Sequence, residues 1–264
     1  MDRRLALVTG ASAGIGAAFA RALAARGHDL VLTARRAERL EALAVELRHR
    51  HGVEVLILAA DLADPETPAA LETALAAQGR SVDIQVNNAG YGLPGGFGDN
   101  AWNDQAAMLQ VMLTAPCDLA HRFLPGMRAR GYGRIINVAS VAGLTPGGVG
   151  LYGAVKSFLI GFSQSLHQEC ADSGVHVSAL CPGLTWSEFH DVNGMREPLN
   201  KATPAWLWMD AETVVAAGLA AADAHRPVCV PGAVNKALAG LAWLLPDPWV
   251  MAITAAQGWR FRKP

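Results

Sequence analysis

The residues with the clearest capacity for chemistry are Tyr152 and Lys156, in the run Tyr152-Gly153-Ala154-Val155-Lys156. On a helix, side chains four positions apart lie on one face with Cβ atoms about 5–6 Å apart, so this phenol and ammonium can serve one site. A fixed cation favours the phenolate and is expected to draw the phenol down from its usual value of about 10 towards the working pH. Tyr152 then becomes a proton donor and acceptor. The plain alternative is a chance pair on a surface helix, and only the rest of the chain decides between the two.

A second stretch is the glycine-rich turn Thr9-Gly10-Ala11-Ser12-Ala13-Gly14-Ile15-Gly16, which follows a strand-like run and opens a helical one. Gly10 permits a sharp turn, Gly14 lets the backbone approach a diphosphate, and Gly16 allows close helix packing. The helix N-terminus offers free N–H groups and a positive dipole end to an anion, so Gly10, Ser12, Gly14, Ile15 and Gly16 are expected to hold a nucleotide. The same letters spell G-x-S-x-G, a hydrolase elbow with Ser12 as nucleophile. That reading needs an Asp and a His downstream and usually follows several strands, whereas here it would fall on the first.

The end of the second strand discriminates between dinucleotides. An acid there binds the ribose 2′-hydroxyl of NAD, and an arginine accommodates a 2′-phosphate. This chain has Ala34-Arg35-Arg36 and no carboxylate until Glu38. A guanidinium suits a phosphate through charge-assisted, often bidentate bonds, so NADP is expected, with a solvated pair of arginines as the alternative. Asp61 and Leu62 after the third strand are positioned to hold the adenine, and Asn87-Asn88-Ala89-Gly90 after the fourth to line the pocket floor.

These residues sit at the ends of short apolar runs that alternate with helical patterns: 5–9 then 15–26, 30–33 then 37–50, 53–58 then 65–78, and 84–86 then 102–127. The series continues with 134–138, the Tyr152 helix to residue 170, 175–180, a helix over 211–222, and 228–230. Strands apolar at successive positions are covered on both faces. The series predicts an α/β fold, a doubly wound, mostly parallel sheet of Rossmann type whose ligands lie beyond the carboxyl ends of the strands. No repeat or linker divides the 264 residues. One domain is expected over 1–264, with a core of about 4–232 and an apolar helical extension over about 233–264.

Hydrophobic residues make up 52% of the chain and charged ones 17%, with a net charge of −1, so no basic excess exists to draw in nucleic acid. Cys117, Cys170, Cys181 and Cys229 are widely spaced and predict free thiols of a reducing compartment; no metal site is expected. The N-terminus runs straight into a strand-like segment without an apolar leader, which predicts a cytoplasmic protein. Near the C-terminus, Pro246-Asp247-Pro248 divides the apolar runs 237–245 and 249–256, and neither approaches the ~20 residues of a membrane span.

Taken together, Thr9-Gly10-x-x-x-Gly14-Ile15-Gly16, Asn87-Asn88-Ala89-Gly90, Ser140, Tyr152-x-x-x-Lys156 and Pro182-Gly183 have the order and spacing of the short-chain dehydrogenase/reductase family, which the chain resembles over about residues 4–232. The resemblance implies that Tyr152 is the general acid for carbonyl reduction and that Lys156 lowers its pKa while bonding the nicotinamide ribose. It implies that Ser140 bonds the substrate oxygen and that Pro182, Gly183 and Thr185 hold the nicotinamide ring. It also implies a homodimer or homotetramer paired through the helices over 102–127 and 152–170. One position departs. Where this chain has Met112, within Gln110-Val111-Met112-Leu113-Thr114, members normally carry an asparagine that links the lysine to solvent. A thioether donates nothing, so an impaired enzyme is expected before a dead one. The alternatives are a dinucleotide-binding protein with little turnover, or a plain core methionine in the stripe Met108, Met112, Ala115 and Leu119.

Other residues weigh less. His49-Arg50-His51 ends a helix, where cations suit the dipole. Glu188, His190 and Asp191 cluster after Pro182-Gly183 without a fourth ligand for a metal. Trp186, Phe189, Trp206, Trp208 and Met209 crowd the segment where a lid over the substrate would lie, which predicts an apolar small-molecule substrate contacting Trp186, Phe189 and Trp206; packing of that lid on the core is the alternative. The functional expectation is an NADP(H)-dependent oxidoreductase acting on a carbonyl or alcohol.

Overall fold

Along the first strand, Leu5 and Leu7 enter one apolar cluster and Ala6 and Val8 the other, as a strand buried on both faces requires. The architecture is seen in a computed structural model, which describes residues 3–146, 150–189, 197 and 203–258. Its elements run β1 (Leu5–Thr9), α1 (Gly14–Ala25), β2 (Asp29–Thr33), α2 (Ala37–His51), β3 (Val55–Ile57), α3 (Thr67–Ala76) and β4 (Val82–Asn87). They continue with α4 (Trp102–Leu109), α5 (Ala115–Ala129), β5 (Gly133–Val138), α6 (Gly150–Glu169), β6 (Val175–Leu180), α7 (Ala211–Asp223), β7 (Val228–Cys229), α8 (Ala233–Leu244) and α9 (Asp247–Gly258).

The strands form one seven-stranded parallel sheet in the order β3-β2-β1-β4-β5-β6-β7. Helices α1, α2 and α7 cover one face and α3 to α6 the other. Strand order reverses between β1 and β4, and a crevice opens there beyond the carboxyl ends. Among the described residues no helix is long and apolar enough to cross a membrane.

Two expected elements differ. The single helix over 102–127 is broken by a π-helical turn, Gln110–Thr114, between α4 and α5. Pro116 is the reason: it has no N–H to give the Met112 carbonyl four residues back, so a regular α-turn cannot form, and Ala115 instead donates to Gln110 O. β3 is shorter than the run 53–58, as suits a sheet edge. In the extension, α8 buries none of its residues, and Leu238, Leu241, Trp243 and Trp249 are exposed.

Inside the sheet lies a chain of polar side chains. Gln85 Nε2 donates to Asn87 Oδ1 (3.0 Å), Asn87 Nδ2 to Asn137 Oδ1 (2.7 Å), Asn137 Nδ2 to Ser163 Oγ (2.9 Å), and Ser163 Oγ to Leu159 O (2.6 Å). All four side chains are buried, and the chain couples β4, β5 and α6. Buried polar groups are costly only when stranded. Asn137→Ala strands the Asn87 amide and opens a cavity, so it should lower the free energy of unfolding by about 2–4 kcal/mol in urea titration; a loss below ~1 kcal/mol would show that the chain contributes no coupling.

Candidate active site

The glycine-rich turn is bound to β4 by side chains from both sides. Asn88 and Ala89 N–H donate to Thr9 Oγ1 (3.0 and 3.1 Å), and Asn88 Nδ2 donates to Thr9 O and Gly10 O (3.0 and 3.2 Å). Gly10 has φ +64°, and a Cβ there would stand 2.8 Å from Asn88 Nδ2 and 2.9 Å from Ala89 Cα. A Cβ on Gly16 would stand 2.2 Å from Gly10 O, so Gly16 is a packing position behind the turn and does not line the cleft. Ser12 Oγ accepts from Arg36 Nε and Nη2 (3.3 and 3.0 Å). A guanidinium cannot take a proton from a serine, so the elbow reading of Ser12 lacks its base.

At the other end of the crevice, α6 presents Tyr152 and Lys156 to the carboxyl end of β5. Lys156 is buried, its Nζ donates to Val138 O at 2.7 Å, and it lies 5.5 Å from the centre of the Tyr152 ring. Ser140, two residues beyond Val138, caps a short 3-10 turn over Val141–Gly143, its hydroxyl accepting from Ala142 N–H (3.1 Å). That turn reaches α6 because Gly143 has no side chain: a Cβ there would lie 2.5 Å from the Lys156 carbonyl carbon and 2.6 Å from Ser157 N.

The electrostatics run against the expectation from spacing alone. Burial pushes the Tyr152 phenol up to about 12, opposed by its bond to Ser140, and burial lowers Lys156 to about 8. Desolvation is the largest cause of both shifts. A phenol raised in this way is protonated throughout the neutral range, the form a proton donor needs.

Between these ends lies a cavity of about 1050 Å³. Gly10, Ser12, Gly14, Ile15, Arg35, Arg36, Asp61, Leu62, Asn88, Ala89 and Gly90 line it, together with Ser140, Tyr152, Lys156, Pro182, Gly183, Thr185 and Phe189. Phe189 packs against Tyr152 with ring centres 5.7 Å apart. Other expected residues are elsewhere. Trp186 stacks on Trp208 at 4.4 Å and Trp206 is exposed, and neither lines the cavity. Asn87 belongs to the buried amide chain and not to the pocket floor. Met112 is buried with Met108, Ala115 and Leu119, and its side chain packs behind Gly90, where a Cβ would meet its Cε at 3.3 Å. His190 and Asp191 lie outside the described residues.

Sequence reading missed much of the apolar wall, formed by Tyr91, Leu93, Phe97, Met108, Val111 and Leu151, and missed Thr254 from α9. The wall comes from the long loop after β4, from α4 and the π-helical turn after it, and from the start of α6, where nothing local marks a residue as facing a cavity. Gly143 was also missed, and its only signal was a glycine three residues after Ser140.

Comparison with known proteins agrees with this geometry. The short chain dehydrogenase family model matches residues 4–196. Nodulation protein G of Rhizobium sp. (strain N33) is 38% identical over 245 residues, covering 91% of this chain and 98% of that protein. The chain belongs to the short-chain dehydrogenase/reductase family. Among solved structures, a short-chain dehydrogenase from Sphingobium yanoikuyae in complex with NADPH superposes with a TM-score of 0.79 at 36% identity, covering 92% of this chain and 97% of that one. The bulky-bulky ketone specific alcohol dehydrogenase from Comamonas testosteroni superposes with a TM-score of 0.77 at 32% identity, covering 98% and 94%.

Family membership makes the ionisation of Tyr152 a direct test of the site. The chain has three tyrosines, so the phenolate absorbance of one is resolvable as the difference between native protein and Tyr152→Phe. At about pH 10, where an ordinary phenol is half ionised, that difference should be close to zero in the protein alone. A half-titrated Tyr152 at this pH would mean that Lys156 outweighs burial.

Proposed function

We propose that this chain is an NADP(H)-dependent oxidoreductase that interconverts a carbonyl and an alcohol on an apolar small molecule, with Tyr152 as general acid and base. The observation that carries the reading is a single cavity with Ser140, Tyr152 and Lys156 at one end and the Arg35-Arg36 pair at the other. The groups present suit NADP. Gly10 and Gly14 line the cavity, α1 starts at Gly14 with free N–H groups, and two guanidiniums stand at the end of β2. The NADPH bound to the Sphingobium relative supports this choice, as the ketone specificity of the Comamonas relative supports the reaction.

When bound, the nicotinamide supplies or accepts the hydride. The protein's part is the proton and the geometry. Ser140 and Tyr152 offer two hydroxyls to one substrate oxygen, and the protonated Tyr152 neutralises the alkoxide as it forms. Lys156, held by Val138 O, keeps a proton within reach of the site, and with its value lowered to about 8 it can exchange that proton near neutral pH. The apolar wall of Tyr91, Leu93, Phe97, Met108 and Val111 favours a substrate with a hydrophobic body and keeps bulk water from the reacting carbon.

Cofactor choice is tested by binding. NADPH should bind more tightly than NADH, and Arg35→Asp should erode the margin by about 1.5–3 kcal/mol, the scale of a hydrogen bond to a charged group. Equal dissociation constants in the native protein contradict the reading.

Turnover tests the roles of Tyr152 and Met112. Tyr152→Phe should abolish carbonyl reduction. A positioned proton path is worth about 10²–10⁴-fold, and water has looser routes to Lys156, so Met112→Asn should raise kcat by a factor towards or below the lower limit while leaving NADPH affinity unchanged. The measurement is kcat for the three proteins on one responsive ketone. An asparagine variant no faster than a brisk native enzyme makes Met112 a core residue alone.

A further inference from the structure

The segment leaving β6 passes over the glycine-rich turn. Ser187 lies over Gly14, where a Cβ would stand 2.8 Å from the Ser187 Cβ. One residue on, the Glu188 carboxylate reaches over the rim of the cleft to the start of α2. Its Oε2 accepts from Arg36 Nη1 at 2.9 Å and its Oε1 from Arg39 Nη1. The two remaining donor positions of Arg36 that the structure uses, Nε and Nη2, point to Ser12 Oγ. Arg35, beside it, forms no ion pair among the described residues.

Two guanidiniums, Arg36 and Arg39, thus meet at a single carboxylate beside the cleft, and that carboxylate comes from the opposite side of the dinucleotide turn. We infer that Glu188 is an internal competitor for the 2′-phosphate subsite: its carboxylate holds Arg36, which the phosphate must take over, and so limits NADP affinity without affecting NAD. The inference rests on the NADP reading above. A phosphate dianion arriving at Arg36 meets a carboxylate already on Nη1, and like charges on one guanidinium repel, so Glu188 must release Arg36 for the phosphate to gain its full set of bonds. A cofactor with a free 2′-hydroxyl brings no charge to this place and leaves the clasp closed.

The magnitudes are compatible with exchange. Arg36, Arg39 and Glu188 keep 43%, 47% and 42% of their side-chain surface in solvent, so each pair contributes little and is readily displaced. The two guanidiniums hold the Glu188 carboxyl below the usual range, so it is charged whenever the enzyme works. Affinity for a ligand that needs the open form falls by the fraction of time the clasp is closed. Phe189, the next residue, packs on Tyr152 at the border of the reacting groups.

The test is calorimetric binding of NADPH, NADH, 2′,5′-ADP and 5′-AMP to the full chain, native and Glu188→Gln. Glutamine keeps the length of the side chain and removes its charge, and the half-exposed position tolerates the change. The dissociation constants of NADPH and 2′,5′-ADP should fall roughly three- to tenfold, the scale of two exposed ion pairs, while those of NADH and 5′-AMP stay within about twofold. A common shift for all four ligands makes Glu188 a support of the segment and overturns the inference. Weaker binding of the two 2′-phosphorylated ligands also overturns it, because Glu188 then holds Arg36 in place for the phosphate. Native protein that fails to distinguish NADPH from NADH, or 2′,5′-ADP from 5′-AMP, refutes the cofactor reading itself; native discrimination with an unchanged ratio in the variant refutes only the role of Glu188.

Discussion

The close seating of α6 on the carboxyl end of β5 is the constraint on which the site depends. Three contacts make it: Lys156 Nζ on Val138 O, Asn137 Nδ2 on Ser163 Oγ, and the backbone of Gly143 against that of Lys156 and Ser157. Each is a polar or glycine contact in otherwise apolar surroundings, and each fails if the helix retreats by an ångström. Apolar packing alone tolerates small slides between elements. Hydrogen bonds of fixed length do not, and they hold Tyr152 in register with Ser140.

That seating also shifts the ionisation of the two groups. Desolvation of the buried Lys156 and the partly buried Tyr152 raises the phenol to about 12 and lowers the ammonium to about 8, so each group is pushed towards its neutral form. In the proposed function, a neutral phenol beside a lysine that titrates near neutrality is a donor with a rechargeable neighbour. Perturbed groups of this kind gather at reacting centres because burial is the means of tuning them.

The opposite end of the cleft works by the reverse principle. Arg35, Arg36, Arg39 and Glu188 are exposed or nearly so, and their interactions are weak and exchangeable. One cavity thus joins a buried, hydrogen-bonded end to an exposed network of surface charges.

Much of this was legible in the sequence because it is local. The Tyr152 to Lys156 spacing, the glycine turn between β1 and α1, and Arg35 and Arg36 at the end of β2 follow from the period of a helix, the steric freedom of glycine and the position of a strand end. Runs apolar at successive positions foretold a sheet covered on both faces, and the Met108-Met112-Ala115-Leu119 stripe foretold a buried methionine. Partners distant in sequence were decided only by the tertiary structure. Asn137 meets Asn87 fifty residues away, Glu188 meets Arg36 across 152 residues, and Thr254 reaches the cavity from the end of the chain. The aromatic cluster misled for the same reason: composition placed Trp186 and Trp206 near the substrate, but which ring faces a cavity depends on how the segment folds back. The ionisation of Tyr152 was misjudged because spacing along a helix reports a neighbouring charge, whereas desolvation is a sum over everything the chain packs around the group.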